Sequence, residues 1–345
     1  MEPIPLQKGQ LILAETDDLP VYQHACGPDC AAALAPSAEA CMQVAEAVRE
    51  TMPVGCVIEC LPGPGEVSGE EPHPTEALIE RYKDILREGI PERADFLYLR
   101  GTDSFASLRC AVLAVTDLSG RNIMVELPVG SEGMLPFGTD IVAAVAVLQR
   151  IGVNTVIVSG EAAQDVADAL ERCAPYARVS LGARVEPDWL TEGIHFTNTE
   201  LYVPRRAADI GALREALRSY RGAVQVPRDH DDMLIAPDGT HAHFIDPMID
   251  ISGELACDGH LGELLLEAED DSGALKIRLD EEEDLICFEE HVFMLARPVS
   301  LYAEPPELLE KALRVYPGRA LYDGTWELDP RLCKYFSQKY GMICL

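Results

Sequence analysis

Short apolar runs alternate with longer segments of helical periodicity over most of the chain. Apolar runs without polar alternation are typical of parallel strands buried on both faces. Between them, apolar residues recur three or four positions apart, as they do on one face of a helix. The predicted strands are 11–15, 56–61, 95–100, 122–128, 155–159, 178–185 and 194–203, with a further candidate at 20–25, and the predicted helices are 37–51, 74–88, 104–118, 139–151, 161–173 and 206–220.

One segment, residues 139–153, shows the repeating unit clearly. Ile141, Val145 and Leu148 fall at helical spacing, and Gly152 follows where a left-handed residue commonly ends a helix. The next apolar run begins directly after this glycine. A strand–helix unit repeated along the chain predicts an α/β fold, and the strand number favours a (β/α)8 TIM-like barrel over an open sheet.

The pattern changes near residue 221. The segments 227–232 and 236–240 are rich in Pro, Asp and Gly, which indicates loop and turn. We therefore predict a barrel over residues 1–222 and a smaller C-terminal α/β extension over 223–345. In the extension the predicted strands are 243–249, 275–279, 285–288, 299–303, 320–323 and 342–345, the predicted helices are 262–268, 306–316 and 329–339, and the acidic run 280–284 is predicted to be a solvated loop.

Charge narrows the choice of partners. The chain has 59 Asp and Glu against 28 Lys and Arg, a formal net charge of -31, so its surface potential repels nucleic acid and anionic membranes. Neither a signal peptide nor an apolar run of about 18 residues is present, which predicts a cytoplasmic protein. In that compartment the 11 cysteines are expected to be reduced, without structural disulfides.

A family resemblance emerges in the middle of the chain. Residues 94–102 (ADFLYLRGT), 122–127 (NIMVEL) and 132–140 (EGMLPFGTD), preceded by the glycine-rich turn 61–65 (LPGPG), resemble homocysteine S-methyltransferases. The resemblance implies a (β/α)8 barrel over residues 1–222 and transfer of a methyl group to the homocysteine thiol. In that family three cysteine thiolates hold a zinc ion, which lowers the thiol pKa of homocysteine.

The cysteines of that family are missing from this chain. Ser159-Gly160 stands where the family has Asn-Cys, and the final predicted strand, 194–203, contains no cysteine in place of the family's Gly-Gly-Cys-Cys. The resemblance therefore implies a divergent protein that binds a small amino acid or thiol, an S-methyltransferase if it is active. Zinc is the cofactor that the resemblance implies, but its ligands are absent, and we assign no cofactor.

The C-terminal part has its own, fainter similarity. Segments 306–313, 318–325 and 339–343 are similar to part of the pterin-binding barrels, although Asp323-Gly324-Thr325 replaces the usual Asn-Ser. An alternative hypothesis is therefore a noncatalytic binding or regulatory subunit of a corrinoid or one-carbon methyl-transfer system. Its partner would be a corrinoid or methyltransferase protein.

A site in a barrel of this type lies at the carboxyl ends of the strands. Many of the side chains expected there are carboxylates, which bind a cation or an amino group, so we predict an amino-acid ligand. The residues predicted to line this mouth are Glu15, Thr16, Glu59, Thr102, Asp103, Glu126, Ser159, Glu161, Glu186 and Asn198.

Two further clusters are candidate metal sites. Cys56 and Cys60 lie four apart on a predicted strand and so share one face. Their spacing differs from the common Cys-x₂-Cys, and small core residues explain them equally. The second cluster combines His241 and His243 with Cys257 and His260, for which the alternative is a strand edge and a polar loop.

Overall fold

The computed structural model describes residues 11–15, 30–48, 52–67, 73–89, 94–101, 104–228, 234–268 and 273–345. Eight parallel strands form a closed barrel, in which each strand pairs with the next and the last pairs with the first. The predicted (β/α)8 fold class is thereby confirmed. The barrel strands are β1 Leu11–Glu15, β2 Cys30–Ala35, β3 Val54–Glu59, β4 Phe96–Arg100, β5 Asn122–Val129, β6 Thr155–Gly160, β7 Ser180–Val185 and β9 Thr199–Pro204, and β8 Phe196–Thr197 lies outside the ring.

Helices follow the strands and cover the outside of the barrel. They are α1 Ala38–Val48, α2 Pro64–Val67, α3 Pro74–Gly89, α4 Phe105–Leu118, α5 Ile141–Leu148, α6 Ala163–Cys173, α7 Pro187–Thr191 and α8 Ile210–Ser219. The N-termini of α4 and α5 are capped by Ser104 and Asp140, whose side chains accept main-chain N–H groups of the first turn. None of the helices in the described part of the chain is long and apolar enough to span a membrane.

Side chains alternate between two cores along each barrel strand. Leu13, Phe96 and Ile157 fill the interior, whereas their strand neighbours pack outward against the helices. The interior is tightly filled, since a Cβ atom on Gly55 would lie 2.1 Å from Cε2 of Phe96. The barrel interior is therefore closed by packing, which leaves no room there for a ligand.

Two of the barrel strands differ from the prediction. Residues 194–203 form two strands, β8 and β9, because Asn198 between them adopts a left-handed φ of 50°. The eighth barrel strand is β2, a run of small apolar residues (CAAALA) that the pattern did not identify as a strand. The candidate strand at 20–25 lies outside the described residues.

A second parallel sheet of five strands follows the barrel. This confirms the α/β character of the C-terminal extension, while its division from the barrel at residue 222 stays a prediction. Its strands are β13 Ile251–Ala256, β14 Ala274–Arg278, β15 Val299–Tyr302, β16 Leu321–Tyr322 and β17 Ile343–Cys344, and its helices are α9 Leu261–Glu267, α10 Glu282–His291, α11 Pro306–Val315 and α12 Pro330–Lys339. Short strands complete two small sheets, β10 Ala223–Val224 beside β8, and β11 Leu234–Ile235 with β12 Phe244–Ile245.

The predicted strand 285–288 and the predicted acidic loop 280–284 were both wrong. Residues 285–288 lie in the body of α10, and residues 280–284 lie at its beginning, where Glu281 and Asp284 form a capping box. Carboxylates are favourable at a helix N-terminus because they accept its unpaired N–H groups and oppose its dipole. The acidic run is therefore a helix start rather than a solvated loop.

Arginine–carboxylate contacts join the extension to the barrel. Arg314 on α11 donates to Glu76 on α3 at 2.8 and 3.0 Å and to Asp117 on α4 at 3.1 Å. Arg109 on α4 is buried and donates to the main-chain carbonyls of residues 313 and 314 at the end of α11. Lys339 on α12 completes the set, 3.4 Å from Asp117. We call these five residues the junction network.

One disulfide contradicts the expectation that all cysteines are reduced. Cys333 on α12 is bonded to Cys344 on β17, where the chain returns beside the helix. The expectation was based on the compartment and took no account of this close approach. Cys41, Cys56 and Cys173, on the strands and helices of the barrel, form no disulfide and are buried.

Candidate functional site

Charged side chains from five barrel strands meet at the carboxyl end of the barrel. Glu15 at the end of β1 accepts from Arg184 of β7 at 2.9 Å and also from Arg100 of β4. Arg100 donates in addition to Glu59 of β3 at 2.6 Å. With Glu126 of β5, these residues form what we call the mouth network. Its carboxylates are paired with arginines, so the mouth is far less negative than its acidic residues alone suggest.

Glu126 is the most extensively bonded carboxylate of the mouth network. Arg184 donates to its two oxygens at 2.9 and 2.8 Å, and the Tyr98 hydroxyl donates at 2.7 Å. Burial alone would raise the pKa of Glu126, but the charge and hydrogen bonds of Arg184, with hydrogen bonds from Tyr98 and Ser159, hold it below its ordinary value. Burial and the adjacent Glu126 raise the pKa of Tyr98 well above its ordinary value, so Tyr98 stays a neutral donor.

A cavity of about 550 Å³ lies beside this network, at the ends of β5, β6 and β7. Glu126, Ser159, Arg184 and Arg205 supply its polar wall, together with Ser131 and Glu161. Its apolar lining residues are Val129, Met134, Leu135 and Pro136. The volume and the mixture of apolar wall and a few polar groups suit a small polar ligand.

Arg205 directly follows β9 and is the least committed cation of this cavity. Its contacts with Glu161 and Glu186 are long, at 3.3 and 3.5 Å, and both carboxylates are solvent-accessible, Glu161 at 98%. The guanidinium carbon lies 5.4 Å from the ring centre of Trp189, so the aromatic face supports the side chain. Arg184, by contrast, directs hydrogen bonds to Glu15, Glu126 and the carbonyl of residue 204.

Most of the predicted mouth residues that the structure describes do lie at this end of the barrel. Glu15, Glu59 and Glu126 belong to the mouth network, and Ser159 and Glu161 line the cavity. Glu186 reaches the same place through its contact with Arg205. The predicted residues Thr16, Thr102 and Asp103 lie outside the described residues.

The expected position of Asn198 was wrong. It precedes β9, so it lies at the amino end of the barrel, and its amide exchanges hydrogen bonds with the main chain of Val226 at 2.9 and 3.1 Å. The error follows from treating 194–203 as one strand. Asn198 holds β8 and β10 together rather than contacting a ligand at the mouth.

Sequence reasoning missed the arginines, which decide the charge of the mouth. Arg100 ends β4, Arg184 is the penultimate residue of β7, and Arg205 follows β9. Their position at strand ends was a usable signal, because the carboxyl ends of barrel strands surround the mouth. The residues predicted for the mouth are carboxylates, hydroxyls and one amide, and none of them is a cation.

A zinc–thiolate centre does not fit these residues. The last two barrel strands bring Arg184 and Arg205 to the mouth, and guanidinium groups repel a metal cation. Cys56 points outward into the core between strands and helices, beside Cys41. Cys60 does share that outer side and is partly buried near Tyr82, and burial raises its pKa to about 12. Neither side chain faces the mouth.

The second candidate cluster is not assembled either. His243 bonds Asp238 at 2.8 Å, and His241 lies 3.8 Å from the same oxygen, within a turn of the small β11–β12 sheet. Cys257 is buried at the end of β13, and His260 lies 3.5 Å from Glu263 at the surface. Within the part of the chain that the structure describes, no three His, Cys, Asp or Glu residues are grouped so that they could hold a metal.

Comparison with known proteins gives a similarity at the level of solved structures. No family model matches the chain, and no curated protein does. The apo form of the homocysteine methyltransferase MmuM from Escherichia coli is similar at 15% identity and a TM-score of 0.44, covering 61% of this chain and 96% of that chain. Its metallated form gives 14% identity with the same TM-score and coverage. The barrel assignment rests on the strand order, independently of these values.

Proposed function

We propose that the cavity at the barrel mouth binds a small amino acid, with the ligand carboxylate on Arg205 and its ammonium group near Glu161 and Glu126. The observation that carries this proposal is the position of Arg205 at the cavity, with only long contacts to exposed carboxylates. A guanidinium presents a planar fork of donors that matches a carboxylate in a bidentate pair. A ligand carboxylate would replace weak contacts with such a pair.

The surroundings of Arg205 favour a zwitterion over a simple anion. Glu161 and Glu186 lie beside the guanidinium, and Glu126 forms the inner wall of the cavity. A ligand with a carboxylate alone would meet their repulsion. A ligand that also carries an ammonium group turns these carboxylates into partners.

The apolar part of the wall provides room for the ligand side chain. Val129, Met134 and Leu135 suit an aliphatic or thioether group. Homocysteine and methionine therefore match the cavity, in agreement with the sequence resemblance. We propose ligand binding without methyl transfer, because the residues at the mouth do not fit the zinc ion that would ionise a thiol.

A thermal-shift titration with homocysteine, methionine and glycine tests the proposal. Each ligand is titrated once with zinc and once with a chelator. We expect homocysteine and methionine to stabilise the protein equally with and without zinc, by about 2.7 kcal/mol at 100 times their Kd. Glycine, which lacks the side chain, should stabilise it less. No stabilisation by any of the three, or stabilisation only with zinc, would contradict the proposal.

A second candidate function is a noncatalytic subunit that docks onto another protein. It is supported by Phe293 and Leu266, which are 82% and 61% exposed beside an apolar cavity of about 270 Å³ on the extension. The partner named by the sequence resemblance is a corrinoid or methyltransferase protein. Direct binding to such a purified protein should be lost in Phe293→Glu and kept in Met248→Glu, a change at another exposed residue. Equal binding by both variants would count against this candidate.

A further inference from the structure

Two cysteine side chains meet where the carboxyl end of β13 lies beside α10. Cys257 directly follows β13, and Cys287 lies in the body of α10. Sγ of Cys257 donates to the carbonyl oxygen of Asp284, one turn before Cys287, at 3.1 Å. Sγ of Cys287 donates to the carbonyl oxygen of Asp258, the residue after Cys257, at 2.9 Å. Each thiol thus reaches the main chain beside the other cysteine, and we call the two residues the thiol pair.

The two thiols also form a hydrogen bond with each other, and it affects them in opposite directions. Burial raises the pKa of Cys257, and the charge and hydrogen bond of Cys287 raise it further. Burial also raises the pKa of Cys287, but there the hydrogen bond from Cys257 acts against the increase. Cys287 therefore loses its proton more readily than Cys257, and the thiolate is the form of cysteine that attacks.

The members of the thiol pair differ in their access to solvent. Cys287 is partly exposed, whereas Cys257 is only 2% exposed. A reagent in solution reaches Cys287 first, and Cys257 then meets the reagent as a group already attached to Cys287. The more accessible thiol is therefore also the one that ionises more readily.

His291 lies one turn further along α10 and faces the exposed thiol. Its Nδ1 lies 2.8 Å from the carbonyl oxygen of Cys287 and 3.7 Å from Sγ of the same residue. Because a carbonyl oxygen only accepts, Nδ1 of His291 carries the hydrogen in this contact. A hydrogen-bond donor is thus present beside the sulfur atom on which negative charge would develop.

A second pair of thiols, in the barrel, lacks this access to solvent. Cys41 on α1 and Cys56 on β3 also form a hydrogen bond with each other. Both are completely buried in the core between strands and helices, so they act as small core residues. Cys257 and Cys287 combine the same close approach with an open side, which packing alone does not require.

Carboxylates determine which reagents approach Cys287. Besides burial, the negative charges of Glu290, Asp258 and Asp284 raise the pKa of Cys287. The same charges repel an anionic reagent, such as oxidised glutathione, and attract a cationic one. A positive charge on the reagent also stabilises the thiolate that attacks it. The surroundings of Cys287 therefore favour a cationic partner for its chemistry.

We propose that the thiol pair exchanges with small cationic disulfides, with Cys287 as the attacking thiol and Cys257 as the resolving thiol. Cys287 gives its proton to solvent and attacks one sulfur of the reagent, whose S–S bond breaks and whose released half takes up a proton. Cys257 then loses its proton and attacks Sγ of Cys287, which releases the second half as a thiol. One reagent disulfide is thereby reduced to two thiols, and the two protein thiols are oxidised to one disulfide.

Incubation of the whole protein with cystamine, followed by peptide mass spectrometry, tests this sequence of steps. In the wild type we expect a disulfide between Cys257 and Cys287, with no cysteamine retained on either residue. In Cys257→Ala the mixed disulfide should remain on Cys287, because the resolving thiol is missing. In Cys287→Ala no cysteamine should be attached to the buried Cys257. Cys60→Ala, at another partly exposed cysteine, is the control and should behave like the wild type.

A comparison of two reagents tests the role of the carboxylates. Cystamine is a dication at neutral pH, and dithiodiglycolate is a dianion. Each rate is divided by the rate of the same reagent with 2-mercaptoethanol, which removes the difference in intrinsic reactivity. We expect cystamine to form the protein disulfide about tenfold faster or more at low salt, and the ratio to fall as salt is added.

The wild-type protein alone decides the outcome, so the proposal does not depend on the folding of any variant. Cystamine leaving Cys257 and Cys287 unlinked would overturn it, as would a mixed disulfide that persists on Cys287 in the wild type. An equal or faster normalised rate with dithiodiglycolate would also overturn it. The thiol pair belongs to the extension and shares no residue with the amino-acid cavity, so either proposal can fail without the other.

Discussion

Two arginines, Arg314 of the junction network and Arg205 at the mouth, lie at the ends of their elements and face carboxylates. Arg314 contacts Glu76 and Asp117 at 2.8 to 3.1 Å in a largely buried site, whereas Arg205 reaches Glu161 and Glu186 only at 3.3 and 3.5 Å. A short, buried ion pair contributes to folding, while a long, exposed one contributes little. Thus the same residue type serves stability at the junction and remains available for a ligand at the mouth.

The largest expected effect comes from breaking the junction network. Arg314→Ala removes the partner of Glu76 and one of the three cations beside Asp117 at a partly buried site, which should lower the free energy of unfolding by about 3 kcal/mol. Denaturant unfolding measures this change. Arg87→Ala, which removes an exposed pair with Asp84, is the control and should change it by less than about 0.5 kcal/mol. If Arg314→Ala lowers the free energy of unfolding no more than Arg87→Ala does, the ion pairs of Arg314 do not differ in strength from the exposed pairs of Arg205.

The mouth network should show an intermediate effect. Glu126→Gln keeps the size of the side chain but takes the negative charge from Arg184, so the free energy of unfolding should fall by about 2 kcal/mol. Glu59→Gln, at a more exposed carboxylate of the same network, should cost under about 0.5 kcal/mol. Equal losses in the two variants would show that burial does not distinguish these carboxylates.

Lowering the pH should reveal the contribution of ionised Glu126 to stability, with a smaller effect than the substitutions. The pKa of Glu126 is lowered in the folded protein from its ordinary value of 4.5, so its ionisation stabilises the fold above that pH and the contribution is lost as the pH falls. The wild type should therefore lose more stability than Glu126→Gln between about pH 5 and about pH 3. Parallel curves for the two proteins would contradict the assigned direction of the shift.

The smallest effect on stability is expected at Arg205. Because its ion pairs are long and exposed, Arg205→Gln should change the free energy of unfolding by less than about 0.5 kcal/mol. Denaturant unfolding checks this value beside that of Arg314→Ala. A loss as large as that of Arg314→Ala would assign Arg205 to the fold rather than to ligand binding.

The barrel was predictable from the sequence because its strands are local signals. Segments 123–125 and 156–158 are continuous apolar runs, which are typical of strands buried on both faces. The run CAAALA of β2 lacks the β-branched residues that distinguish a strand from a helix, so it was missed. In α10 the apolar pattern was too short to show a helical period.

The site could be predicted only in part, since its partners are brought together by closure of the barrel. Glu15 and Arg184 are 169 positions apart, and no local pattern pairs them. The positions of Glu126 and Ser159 followed from the strand ends alone. The charge balance of the mouth could not be predicted in this way, because it depends on which long side chains reach across the barrel.

The central claim, that Arg205 anchors an amino acid at the mouth, is tested most directly by calorimetric titration of homocysteine or methionine into three proteins. These are the wild type, Arg205→Gln and Arg206→Gln, in which the neighbouring, exposed arginine loses the same charge. We predict binding to the wild type and to Arg206→Gln with the same affinity, and a loss of about tenfold or more in Arg205→Gln. Equal affinity in all three proteins, or binding by none, would contradict the claim.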